Sequence, residues 1–395
     1  MLHSFGEGIR IQIIYLSAAS LLIYRIALIF YRLWFHPLRK VPGPWLNAAS
    51  SLPFRYQHHI QATWTRQTRD MHMRYGSVVR IAPDVLAVEG SVAWPQIYHH
   101  RSGGNPEFLK GKNFFFPGDK ITIIGGNTTE VHRRQRRHLA HAFSEAAIYK
   151  QEPIIKSYID LFISRLRERA VVGETFNLVH WLNFTTFDII GDLAFANSFG
   201  SLESSNYHPW VLAIFENVKA ASYQGFLRAY PILSLLNYFR PAKSLQKELQ
   251  NREYAAAKAQ ARISQGAEPQ GGRRDFMTYM LRENRHGEKG ISDVEIMANS
   301  GVLVGAGSET TATALSGFFF YAAQNPAILD SLKEEVRSAF SDESEISMRS
   351  TEKLVYLKAC IEETLRVYPP APEIPARISL SDYINRHYIP AGVNN

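Results

Sequence analysis

The chain has 395 residues, enough for one large or two medium globular units, and 46% of it is hydrophobic with no low-complexity block. A single cysteine, Cys360, excludes an internal disulfide framework and any zinc or iron–sulfur site built from several cysteines. The net charge of +8 suits an anionic membrane surface or an acidic partner as well as nucleic acid.

The N-terminal segment, residues 9–35, is apolar for about the length of one bilayer crossing, and Arg25 is the only charge within residues 11–31. No small-residue cleavage site follows, which favours an uncleaved anchor. Basic residues after the segment place the bulk of the chain in the cytosol. A helix lying flat at the interface is the alternative, because Arg25 is costly at the bilayer centre unless its charged end reaches the surface.

A proline-rich stretch, residues 37–44, ends the anchor and predicts a stiff, extended linker. Residues 64–75 predict a helix, and residues 76–90 alternate as a hairpin with Pro83 and Asp84 at its turn. The aromatic cluster of residues 114–116 lies in a glycine-rich loop. Such a cluster is either a buried plug or the wall of an apolar ligand pocket.

From Glu130 onwards the chain is mostly helical. Residues 132–144 open with four arginines, a run that is typical of a solvated face and sometimes of a nucleic-acid contact, although no nucleic-acid module accompanies it. Residues 178–195 predict a helix with Asp188 and Asp192 on its polar side.

The stretch 291–326 predicts one long helix. Ser292 and Glu295 form a capping box, and Asn325 followed by Pro326 is a stop signal. A helix over residues 293–324 is about 48 Å long, so it must cross the core.

Small and hydroxylated residues interrupt the middle of this helix. Gly301, Gly305, Gly307 and Gly317 each cost roughly 1 kcal/mol relative to alanine. The hydroxyls of residues 310 and 311 can bond to preceding carbonyls and bend the helix. Either a ligand approaches this backbone, or another helix packs closely against the small residues.

The last informative helix precedes Pro369 and Pro370. An apolar stripe runs along it, and Glu363 and Arg366 lie three residues apart on one face. In isolation such a pair is an ordinary exposed helical ion pair.

In this order, the motifs resemble those of the cytochromes P450, the haem-thiolate monooxygenases, and in particular the fungal membrane-bound kind. Residues 306–311 are similar to the oxygen-activating motif, residues 363–366 to the Glu-x-x-Arg motif, and the proline-rich linker to the membrane hinge. The resemblance implies a mainly α fold with a small β region, incomplete at its C-terminus and preceded by a transmembrane anchor helix. Residues 1–36 are then the anchor and residues 37–395 the catalytic domain.

The resemblance also implies roles for individual residues. Ala306 and Gly307 would let haem b and substrate lie against the helix, the Thr310 hydroxyl would hold a water for proton delivery, and Glu309 would be the proton source. His132, Arg136 and Arg377 would bind the haem propionates; the position of His132 commonly holds tryptophan in the family. Glu363 and Arg366 would form a structural pair, which we expect to be buried and costly to break in a full-length version.

Partners and location follow from the same resemblance. We expect an NADPH-cytochrome reductase to meet Arg133, Arg134 and Arg137, a single-pass location in the endoplasmic reticulum with a cytosolic domain, and no nucleic-acid partner. With this orientation the sequons at Asn127 and Asn183 stay unglycosylated. The substrate would be an apolar specialised metabolite such as a terpenoid, polyketide or alkaloid. Its pocket would be walled by residues 114–116, residues 212–227, Val304 and Ile374.

One family element is missing from the sequence. The family's thiolate ligand lies in a loop of pattern Phe-x-x-Gly-x-Arg-x-Cys-x-Gly, whereas Cys360 lies inside a helix, where a cysteine is usually a core residue, so no metal ligand is assigned. Two hypotheses remain: a monooxygenase whose C-terminal segment is absent from this sequence, or a haem-free, membrane-anchored protein with a binding or interaction role only. In either case we expect residues 1–395 alone to bind little haem and to be inactive.

Overall fold

The protein is mainly helical. A computed structural model describes residues 2–101, 106–111, 121–125, 128–235, 242–268, 274–282 and 290–394. The helices are α1 Leu2–Trp34, α2 Trp45–Ala49, α3 Leu52–Tyr56, α4 Trp64–Tyr75, α5 Gly90–Ala93, α6 Thr129–Ala140, α7 Glu145–Val171, α8 Leu178–Phe195, α9 Ser201–Ser204, α10 Pro209–Arg228, α11 Pro231–Ser234, α12 Ala242–Ile263, α13 Phe276–Met280, α14 Asp293–Gln324, α15 Pro326–Ala339, α16 Met348–Thr351 and α17 Val355–Val367. The strands are β1 Val78–Ala82, β2 Val85–Val88, β3 Leu109–Lys110, β4 Arg377–Ile378, β5 Asp382–Ile384 and β6 His387–Ile389.

Elements with strong local signals form where the sequence predicts them. Helices α4, α8 and α14 have the predicted bounds, and β1 and β2 form the predicted antiparallel hairpin. The capping box of α14 is present, since the Ser292 Oγ accepts from the Glu295 N–H at 3.3 Å and the Glu295 carboxylate accepts from the Ser292 N–H at 2.9 Å. The linker is less extended than predicted, because Pro37–Lys40 is a 3₁₀ helix whose first φ suits proline.

The described residues belong to two compact units. The first comprises residues 1–114, 222–234 and 375–395, and the second comprises residues 115–221 and 235–374. In the first unit the strands pair antiparallel as β1 with β2, β3 with β4, and β5 with β6. Its core combines residues of the linker, the first hairpin and the last hairpin: Leu38, Val78, Leu86, Ile97, Ile384 and Ile389.

Helix α1 is bonded to the first hairpin of this unit at its C-terminal end. The buried Arg80 guanidinium on β1 donates to the carbonyl of Arg32 at 3.0 Å and to that of Pro83 at 3.0 and 3.2 Å. Burial is the main reason that the pKa of Arg80 falls to about 10. Residues Tyr15–Trp34 of α1 are long and apolar enough to cross a membrane, and none of that span is buried against the rest of the chain.

The second unit is built around α14 and α8. Helix α8 is buried along most of its length, and its Phe187 and Phe195 share one core with residues of α14, α13 and α12. The sequence placed Asp188 and Asp192 on a polar face, which is wrong, because both side chains are buried. Asp188 is only 1% exposed, and its carboxylate accepts the backbone N–H groups of Phe199, Ser201 and Leu202 at 2.8–3.1 Å.

Candidate active site

Helix α14 is continuous through the residues that the sequence singles out. The side-chain hydroxyls of Ser308, Thr310 and Thr311 donate to the carbonyls four residues earlier, at 2.6, 2.6 and 2.8 Å. These bonds satisfy the hydroxyls inside the helix, which stays α-helical from Asp293 to Gln324. The predicted bonding of the hydroxyls to the helix backbone is therefore present, without a break in the helix.

The glycines of α14 face two different environments. A Cβ on Gly307 would lie 2.9 Å from the Cδ1 of Ile190 on α8, and one on Gly317 would lie 2.8 Å from the Tyr368 ring. A Cβ on Gly301 or Gly305 would meet nothing within 4 Å. Gly307 thus allows close packing of two helices, which differs from its expected role beside a ligand.

The open side of the helix carries Ala306 and Glu309, which are both exposed. Thr310 is half-buried next to them. Desolvation by neighbouring groups raises the pKa of the Glu309 carboxyl. The same carboxylate contributes to the raised pKa of Tyr207, after the effect of that tyrosine's own burial. The Glu309 carboxyl therefore keeps its proton to a higher pH than an ordinary glutamate, next in the chain to the Thr310 hydroxyl.

Val304 does not line this open side. It is 0% exposed and belongs to the core that α14 shares with α8. Its expected place in the wall of a substrate pocket is wrong, because its side chain points into packed helices. Ile374 is exposed in the same unit. Residues 114–116 lie outside the described residues.

A polar network, which the sequence does not predict, joins α6 to the start of α14. The Glu295 carboxylate accepts from the Arg134 guanidinium at 2.5 and 3.0 Å and from Gln135 Nε2 at 3.1 Å. Asn299 is fully buried; its Oδ1 accepts the Ile123 N–H at 2.8 Å and its Nδ2 donates to the Glu295 carbonyl at 2.8 Å. The Arg134 hydrogen bond is the largest reason that the pKa of Glu295 falls to about 2.

This network changes the interpretation of the arginine run. Arg134 pairs with Glu295, so its charge is partly neutralised within the chain, although its side chain stays 40% exposed. Arg133 and Arg137 are exposed on α6. His132 is half-buried and Arg136 is exposed, and because they are four residues apart they occupy one face of α6.

Arg377 lies in the other compact unit. It is half-buried on β4, donates to the carbonyl of Pro375 at 3.1 Å, and has its guanidinium 4.9 Å from the ring centre of Tyr98. Burial is the main reason that its pKa is lowered.

Glu363 and Arg366 form the predicted pair, but in a different environment. Their side chains make two hydrogen bonds, of 2.6 and 2.7 Å, and are 59% and 71% exposed. The expected burial, which concerned a version with the family's C-terminal segment, is not found among the described residues. The energy of breaking a buried pair does not apply to an ion pair in water.

Cys360 lines a cavity of about 330 Å³ among α14, α15 and α17. The residues of α14 in this cavity begin at Phe318, which is roughly 18 Å along the helix from Ala306 at 1.5 Å per residue. Burial and the nearby Glu335 carboxylate raise the pKa of the thiol, so it is protonated near neutral pH.

The comparisons with known proteins agree with this architecture. The family model of cytochrome P450 matches residues 51–394. The chain is 41% identical to the cytochrome P450 monooxygenase astJ of Aspergillus oryzae over 370 residues, which cover 92% of this chain and 72% of that protein. It is 38% identical to the trichothecene C-4 hydroxylase of Trichoderma arundinaceum, covering 98% and 75% of the two chains, and 38% identical to the averantin hydroxylase of Dothistroma septosporum, covering 94% and 70%.

The family match and these relatives, together with the mainly helical fold, define a haem-dependent oxidoreductase of the monooxygenase class. The chain belongs to the cytochrome P450 family.

The family implies haem b, and part of the donor set fits it. Gly305 and Ala306 leave the helix backbone accessible, and Arg136 is an exposed cation suited to a carboxylate. The thiolate does not fit, since Cys360 is the only cysteine of residues 1–395 and lies beside a different part of α14.

Proposed function

We propose that this protein takes part in the NADPH- and oxygen-dependent oxidation of an apolar specialised metabolite on the open side of α14. The observation that carries this proposal is a group of neighbouring residues on α14. Gly305 and Ala306 leave the backbone accessible, Thr310 provides a hydroxyl, and Glu309 provides a carboxyl with a raised pKa. The names of the related trichothecene and averantin hydroxylases support a substrate of this class.

Haem b, once bound through a thiolate, supplies the redox chemistry of the family. The residues of this chain hold a water molecule and supply it with protons. Because the Thr310 Oγ1 donates its own proton to the Ala306 carbonyl, its lone pairs accept a hydrogen bond from a water. Glu309, which holds its proton to a higher pH than an ordinary glutamate, supplies protons to that water. His132, Arg136 and Arg377 would hold the propionates of the haem.

We further propose that residues 1–36 anchor the protein in the endoplasmic reticulum membrane and that residues 37–395 form the catalytic domain on the cytosolic side. The exposed, apolar α1 supports the anchor. Arg133 and Arg137, exposed on α6, are suited to the acidic surface of an NADPH-cytochrome reductase. Arg134 is omitted because it pairs with Glu295.

The thiolate is the element that separates the proposal from its alternative, a haem-free membrane-bound protein. Cys360 is protonated and lies about 18 Å along α14 from Ala306, so we propose that it does not bind the iron. Residues 1–395 produced by themselves should contain little haem and show no carbon monoxide difference spectrum of the thiolate type. Observing that spectrum, and its loss in Cys360→Ser, would contradict this assignment.

The oxidation itself is best tested at the native locus. Deleting the gene should remove one metabolite and accumulate a precursor that lacks one oxygen atom, as measured by mass spectrometry of culture extracts. Thr310→Ala at the locus should lower product formation and raise peroxide release, because the water loses its hydrogen-bond acceptor. Thr311→Ala is the matched control, since that hydroxyl bonds to the Gly307 carbonyl one position further around the helix. A deletion strain altered only in its sterols would refute the proposed substrate class, and unchanged coupling in Thr310→Ala would refute the role of Thr310.

A further inference from the structure

A second cavity lies in the first unit, directly after the apolar span of α1. Its volume is about 470 Å³, and its lining includes Phe35, His36, Arg39, Lys40, Arg386 and Tyr388. None of the described residues that line it is acidic. A concave, cationic site with aromatic edges is therefore placed within a few residues of Trp34, where the candidate span ends.

The two sides of this cavity are held together by the core beneath them. Leu38 and Val41 of the linker and Ile384 and Ile389 of the hairpin β5–β6 are all buried in one cluster. Because this cluster contains both segments, the cations of the linker and those of the hairpin keep a defined spacing.

The turn of the hairpin presents Arg386 in an unusual conformation. Asn385 and Arg386 have φ values of +44° and +69°, in the left-handed region that non-glycine residues seldom adopt. The Asn385 N–H donates to the Gln96 Oε1 at 2.9 Å and its side chain donates to the Ser77 Oγ at 2.8 Å. These bonds hold the turn, so that the Arg386 side chain is delivered to the cavity lining.

The positive charges of the cavity are available to a ligand. Lys40 and Arg386 are exposed, and neither side chain forms a hydrogen bond or ion pair with another residue in the part of the chain that the structure describes. Arg39 uses one guanidinium nitrogen to donate to the Trp34 carbonyl at 2.8 Å. An oxyanion bound in the cavity would be attracted by both Lys40 and Arg386.

We propose that this cavity binds the phosphate headgroup of an anionic phospholipid in the membrane that holds α1. The charge is complementary, and the end of the candidate span at Trp34 brings the cavity to the depth of the headgroups. Phe35 and Tyr388, which are 62% and 51% exposed, are suited to the apolar side of the same interface. The inference rests on the proposed membrane insertion of α1.

The test uses the full chain in nanodiscs of phosphatidylcholine with a minor fraction of phosphatidylserine, with retained lipids counted by native mass spectrometry. The double variant Lys40→Gln with Arg386→Gln should bind phosphatidylserine about 30-fold more weakly, from about 1 kcal/mol per basic residue at a membrane surface. The control Arg66→Gln with Arg69→Gln removes the same charge from exposed positions on α4 that do not line the cavity. It should retain phosphatidylserine like the wild type.

Each other outcome would overturn the inference. Equal weakening in both double variants would show a diffuse charge effect, and a wild type that retains the two lipids equally would show that no headgroup site exists. Displacement of phosphatidylserine by millimolar inorganic phosphate would identify a site for free phosphate. A chain that does not enter nanodiscs would refute the anchor itself, and this failure is distinct from the others because it precedes any lipid count.

Discussion

The network between α6 and α14 provides a sharp test of the structure through the substitution Glu295→Gln. The Glu295 carboxylate accepts hydrogen bonds from Arg134, Gln135 and Ser292. An amide of the same shape keeps one acceptor oxygen but loses the charge, and it leaves the Arg134 cation unneutralised. Because α6 carries His132 and Arg136, loosening this network would also displace the expected propionate-binding residues.

The expected effect follows from the pKa of Glu295. It falls from 4.5 in the unfolded chain to about 2 in the folded protein, a difference worth about 3.4 kcal/mol at 1.36 kcal/mol per pKa unit. The Arg134 side chain is 40% exposed, so solvent screening reduces this to about 1.5 kcal/mol. Since the folded-state pKa is lowered, the stabilisation is complete above about pH 5 and is lost as the pH falls towards 2.

The assay is urea unfolding of the detergent-solubilised chain, followed by far-ultraviolet circular dichroism at several pH values between about 7 and 3. Because part of the stabilisation is still present at pH 3, the wild type should lose about 1 kcal/mol more than Glu295→Gln over this range. Glu343→Gln is the control, because the Glu343 side chain is 74% exposed in its pair with Arg167 and should change little. If Glu295→Gln and the wild type show the same dependence on pH, the network does not stabilise the fold as argued.

Two further predictions concern packing. Gly305→Ala should stabilise the chain by about 1 kcal/mol because its Cβ enters open space. Gly307→Ala should give no gain because its Cβ would lie 2.9 Å from Ile190. Urea midpoints in the reverse order would contradict the assigned faces of α14. Asp275→Asn should lower the free energy of unfolding by about 3–5 kcal/mol, because it leaves Arg262 as a buried cation. Both side chains of this pair are 0% exposed. A decrease below about 1 kcal/mol in the same urea assay would be inconsistent with that burial.

Much of the architecture is determined by signals that act within a few residues. The capping box at Ser292 and the Asn325–Pro326 stop define both ends of α14, and the alternation around Pro83 defines the first hairpin. The apolar run before Trp34 likewise identifies the candidate span. Such features need no knowledge of the tertiary fold, because a cap, a turn or a helical period is satisfied by neighbours in the chain.

Only the tertiary structure decided which partner each polar or small residue meets. Asp188 is buried because the backbone N–H groups of a later segment bind its carboxylate, although its sequence neighbours indicate a polar face. Arg134 pairs with Glu295 across 161 residues, while Glu363 keeps its local partner and stays in water. Gly307 packs on Ile190, whereas Gly305, two residues earlier, faces open space. The sequence could not separate these cases, because burial and charge pairing depend on contacts between segments that are distant along the chain.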